Sequence, residues 1–107
     1  MAEETMARQL TGELGLGKEE AELYLEALRE GSLPKSKPGA TPLVRRGMLI
    51  EADDEKGYLP VHPRLALSNL FRSMGDRGTP AMREKRKAVD RLTADLIGFY
   101  ERSKQSR

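Results

Sequence analysis

Apolar residues recur every three or four positions through most of this chain, and where they do not, the interruption is informative. Met6, Leu10 and Leu14 are four apart, which predicts a helix over residues 3–14, weakened near its end by Gly12. Ala21, Leu25 and Leu28, with Tyr24 beside them, form an inward stripe over residues 18–29. Glu19, Glu20 and Glu22 suit the positive N-terminal end of that helix. Gly31 supplies the left-handed residue that closes it.

The pattern then lapses. Residues 32–41 contain Pro34, Pro38 and Gly39 and almost nothing apolar, and they read as loop. Thr41-Pro42 has the form of a cap followed by proline at the first helical position. Little more than one turn fits before Gly47. Residues 48–52 read as a strand, and residues 58–61 as its hairpin partner. The turn between them is polar and ends in Gly57, which can take a positive φ.

Pro63 opens a third helix with Ala66, Leu67, Leu70, Phe71 and Met74 on its buried side, and Gly75-Asp76-Arg77-Gly78 breaks it. Thr79-Pro80 repeats the cap-plus-proline signal, and residues 82–103 are helical in pattern. Met82, Lys85, Val89, Leu92, Leu96 and Phe99 alternate spacings of three and four, a heptad-like seam with Lys85 as its one poor member. Met82, Val89, Leu92, Leu96 and Phe99 are therefore the expected dimer interface. No internal repeat is present.

Composition narrows the picture. At 107 residues, 37% hydrophobic and 34% charged, the chain fits one small domain with an appended helix and a modest core, to which a dimer would add buried surface. There is no cysteine, which suits a reducing cytoplasm. No apolar run approaches the ~20 residues of a membrane span. The first five residues are acidic and lack a secretory signal core, so a cytoplasmic protein is expected. The net charge of +2 hides an asymmetry: residues 1–63 carry 8 basic and 12 acidic residues, and residues 64–107 carry 11 and 5. Lys35, Lys37, Arg45 and Arg46 cluster with no acidic residue between them, a pattern compatible with phosphate contact and equally with an ordinary solvated surface.

Catalytic and metal chemistry find no foothold. His62 is the lone histidine and, without cysteine, has no zinc partners; its expected place is a helix cap or an exposed surface. Asp53, Asp54 and Glu55 lack calcium-loop spacing and read as a solvated turn. Leu14-Gly15-Leu16-Gly17 completes no dinucleotide fingerprint, and no phosphate loop is present. No nucleophile, base and orienting group can be assembled, so neither an enzyme nor a cofactor is expected.

Three segments, residues 14–28, 46–50 and 57–67, resemble the TrmB-type winged-helix regulators of archaea and bacteria. The resemblance implies an opening helix ahead of a helix-turn-helix, the end of a recognition helix running into a two-stranded wing, and a proline-led linker helix. A long helix, often used for dimerisation, follows in that family. The expected fold is α+β and mostly α: a winged-helix-like domain over residues 1–74 and a C-terminal coiled-coil-like helix over residues 79–103. The departure lies between Gly31 and Gly47, where 15 residues stand in place of a full helix, a turn and a recognition helix. The effector domain of larger members has no counterpart here.

The expected function is that of a small dimeric transcriptional regulator or chromatin-associated factor. It would hold double-stranded DNA through Lys35, Lys37, Arg45 and Arg46, with Lys56 added from the wing, and with weak sequence specificity. The alternative is a winged-helix-derived interaction or dimerisation module that has lost DNA binding and has a protein partner in transcription. A third reading gives nucleic-acid contact to the C-terminal helix through Arg83, Lys85, Arg86, Lys87 and Arg91, residues that more often form the solvated face of a coiled coil.

Overall fold

The computed structural model describes residues 2–52, 57–72 and 80–106, with the side chains of residues 2 and 80–82 outside the description. The described chain is mostly helical, with one small antiparallel sheet, an α+β fold. Its elements run α1 (Ala2–Gly12), α2 (Lys18–Glu30), β1 (Leu33–Pro34), α3 (Ala40–Arg45), β2 (Leu49–Glu51), β3 (Gly57–Pro60), α4 (Pro63–Arg72) and α5 (Pro80–Ser106).

Helix α2 is the centre of the core. Ala21, Leu23, Tyr24, Leu25, Ala27 and Leu28 are all buried, and α1, α3, α5, β1 and β3 pack around them. It ends where expected: Gly31 has φ 88°, and its N–H donates to the Ala27 carbonyl at 2.8 Å. Met6 and Leu10 of α1 are buried in the same cluster as Leu67, Leu70 and Phe71 of α4. Each fully buried leucine contributes about 1.5–3 kcal/mol.

Residues 32–41 are not all loop. Leu33 and Pro34 form a strand antiparallel to β3, with Leu33 opposite Tyr58 and Pro34 opposite Gly57. The sheet order is β1-β3-β2, and β2 pairs with β3 through Ile50 opposite Leu59. Leu33 is the only large apolar residue of its segment, and burying it on α2 draws the backbone into the sheet. Pro34 has no amide hydrogen, which an edge strand tolerates. Gly57 is not needed for a positive φ; it lies within β3, where a Cβ would stand 2.1 Å from the Leu33 carbonyl oxygen. The acidic turn at residues 53–56 lies outside the described residues.

Helix α3 is only six residues long, and it starts at Ala40 after Gly39 (φ 86°), two residues ahead of the Pro42 start that the Thr41-Pro42 signal predicts. It closes in a Schellman motif: Met48 N–H donates to the Leu43 carbonyl and Gly47 N–H to the Val44 carbonyl, with Gly47 at φ 79°. Asn69 of α4 donates its side-chain amide to the Gly47 carbonyl at 2.9 Å.

At the head of α4, His62 is an exposed cap. Its Nδ1 accepts from the Arg64 N–H at 3.2 Å, and Pro63 occupies the first helical position. Whether Thr79 caps α5 lies outside the described residues.

The seam on α5 faces inward. Val89, Leu92 and Leu96 are buried in the chain's own core, and Phe99 packs against it half-buried. The expected dimer stripe is therefore covered by α1, α2 and α4 of the same chain. The side chain of Met82 lies outside the description. Lys85, the poor member of the seam, donates from Nζ to the Glu13 carbonyl at 2.8 Å, satisfying a backbone acceptor just past the end of α1.

Candidate nucleic-acid interface

Of the cations expected to meet phosphate, most of those described are already engaged. Arg46 caps the C-terminus of α3, and its Nε lies 2.8 Å from Glu20 Oε2. Glu20 Oε1 in turn accepts from the Gly17 N–H at 3.4 Å, at the start of α2. Lys37 Nζ lies 2.9 Å from Glu26 Oε2, with both side chains half-buried. Lys35 Nζ is 3.9 Å from Glu51 Oε2, an exposed and weaker pair. Arg45 is exposed at the end of α3 and makes no ion pair among the described residues. Lys56 lies outside the described residues.

The ground beside α3 is acidic. A groove of ~680 Å³ runs between α2 and the segment leading into α3, lined by Glu19, Glu20, Glu22 and Glu26 against Lys18 and Lys37, with Leu23, Pro38 and Pro42 as its apolar part. Sequence spacing concealed this, because the carboxylates sit on α2, 11 to 26 residues before the cations that they neutralise.

Helices α4 and α5 have the opposite charge balance to α1 and α2. Helices α4 and α5 carry nine basic and four acidic side chains, whereas α1 and α2 carry three basic and seven acidic ones. Arg64, Arg72, Arg83 and Arg91 are exposed and make no ion pair among the described residues. Arg86 stands 5.5 Å from the centre of the Phe71 ring and 3.3 Å from Asp90, and Lys87 pairs with Glu84 at 3.4 Å. Of the cations singled out on the C-terminal helix, only Lys85 turns inward.

Two apolar side chains stand opposite each other on the open face of the hairpin: Ile50 is 52% exposed and Leu59 39%. Among the described residues no helix is long and apolar enough to cross a membrane. One buried hydroxyl joins the hairpin to the core: Tyr24 OH donates to the Val61 carbonyl at 2.8 Å. Burial, and secondarily the nearby Tyr100, push the Tyr24 phenol well above its usual range.

No protein-family model, curated protein or solved structure matches this chain.

Proposed function

We propose that this protein is a nucleic-acid-binding module of winged-helix derivation that holds duplex DNA by its phosphates and reads bases poorly. The order of elements fits the TrmB-type resemblance. Helices α1 and α2 precede a short third helix, a two-stranded wing follows, and α4 and α5 stand as linker and long helix. The observation that carries the reading is the set of exposed arginines on α4 and α5, Arg64, Arg72, Arg83 and Arg91, with no carboxylate partner among the described residues. Arginine presents a planar fork of donors suited to phosphate oxygens. Base reading is minimal, because α3 offers fewer than two turns and Arg46 at its C-cap is held by Glu20. Affinity then comes from counterion release and falls steeply with salt.

The test is a fluorescence-anisotropy titration with mixed-sequence and base-shuffled duplexes, at low and near-physiological salt. Micromolar binding at low salt, a steep salt slope and little difference between duplexes is the expected result. No binding at low salt overturns it. The second reading, a protein-interaction module, then gains weight from the exposed Ile50–Leu59 pair, an apolar contact on the face where a partner could sit.

A further inference from the structure

We infer that the duplex lies along the outer face of α4 and the first half of α5, not against α3 and the hairpin. The inference rests on the nucleic-acid reading above and names its surface. The first argument is charge complementarity. A phosphate approaching α3 meets Glu19, Glu22 and Glu26, and the cations there, Lys37 and Arg46, would have to give up partners at 2.9 and 2.8 Å. On α4 and α5, Arg64, Arg72, Arg83 and Arg91 have no carboxylate to give up among the described residues.

Geometry is the second argument. Arg83, Lys87 and Arg91 recur every four residues on one exposed stripe of α5, so they stand ~6 Å apart along the axis at ~1.5 Å per residue. Arg64 and Arg72 sit at the two ends of α4, ~12 Å apart by the same rise. The two helices pack against each other, and Arg86 over the Phe71 ring bridges them. The result is a basic face ~12 Å long and about one interhelical spacing, ~8–10 Å, wide. Duplex DNA carries a charge every ~1.7 Å of its axis, so a face of that length lies against several phosphates at once. Arg86 lies over the Phe71 ring but pairs with Asp90 at 3.3 Å, and Lys87 pairs with Glu84 at 3.4 Å, so the contacts rest on Arg64, Arg72, Arg83 and Arg91. Contacts of this kind position a duplex without reading it.

Two double variants, Arg83→Ala with Arg91→Ala on α5, and Arg45→Ala with Arg46→Ala on α3, are compared with the unaltered protein by anisotropy across a salt series. Thermal melts confirm that each variant is folded. The α5 variant is expected to bind roughly tenfold or more weakly at ~0.1 M salt and to lose up to about 2 from the salt slope, while the α3 variant stays within about threefold. The reverse pattern, loss from the α3 variant and none from the α5 variant, overturns the assignment of the face and leaves DNA binding standing. Absence of binding by the unaltered protein removes the underlying reading itself.

Discussion

Arg46 at the end of α3 and Glu20 in the first turn of α2 meet at 2.8 Å, although 26 residues separate them in the chain. Glu20 closes the start of α2 with its other oxygen, so this carboxylate serves two elements. The pair is partly exposed, and its coupling is worth ~0.5–1 kcal/mol. Arg46→Ala is therefore expected to lower the melting temperature by a few degrees, about 4–8 °C per kcal/mol for a chain of this size. DNA affinity should change less than twofold. Melting by circular dichroism and an anisotropy titration of the same preparation check both halves. A tenfold loss of affinity without loss of stability would mean that Arg46 leaves Glu20 for a phosphate.

The contact of β1 with β3 depends on a missing side chain. A Cβ at Gly57 would stand 2.1 Å from the Leu33 carbonyl oxygen, a backbone atom that cannot swing aside. Gly57→Ala is expected to cost about 1–3 kcal/mol, by displacing β1 and uncovering Leu33. Gly12, in the last turn of α1, has nothing within 4 Å of an added Cβ, so Gly12→Ala should be neutral or stabilising by up to ~1 kcal/mol. Urea unfolding of the two variants decides it. Equal stability would show that the β1 pairing can shift at no cost.

The helices and the hairpin were legible in the sequence because each is signalled locally, by apolar spacing, by Gly31 and by Pro63. Strand β1 was not, because a two-residue strand has no period, and its partner Tyr58 lies 25 residues beyond Leu33. The start of α3 lies two residues earlier than the Thr41-Pro42 signal implies, because Gly39, not Thr41, occupies the capping position. The candidate cations were visible as residue types, but their neutralisation was not, since it depends on α2 folding beside them. Lys85 shows the same limit. It looked like a flaw in an apolar seam, whereas its partner, the Glu13 carbonyl, lies 72 residues away. Spacing likewise marked Val89, Leu92 and Leu96 as a buried stripe but could not say which chain buries them.

That stripe yields a direct prediction. Leu92 is 1% exposed among the chain's own helices. Leu92→Asp places a carboxylate where no partner awaits it and should unfold the protein, at a cost above about 4 kcal/mol. Leu92→Ala should cost ~2–5 kcal/mol and leave a folded protein of unchanged mass. Circular dichroism and sedimentation distinguish the outcomes. A Leu92→Asp protein that melts normally but sediments as a smaller species would place the stripe between two copies instead.

The last prediction concerns Tyr24, whose hydroxyl ties α2 to the carbonyl of Val61 at the junction of β3 and α4. Burial keeps the phenol protonated in the fold, so its folded pKa lies above that of the unfolded chain, ~10. A group of this sign contributes stability that is fully present below the unfolded value and is lost as pH rises through the folded one. Above pH ~10 the native protein should lose up to ~1.36 kcal/mol per pH unit through this residue. Tyr24→Phe lacks that dependence but leaves the Val61 carbonyl without its donor, a cost of ~1 kcal/mol at neutral pH. The unaltered protein should therefore be the more stable at pH 8, and the two should converge near pH ~11. Urea melts of both proteins at the two pH values measure the gap, and a gap that stays constant would show that the Tyr24 phenol ionises without opening the core.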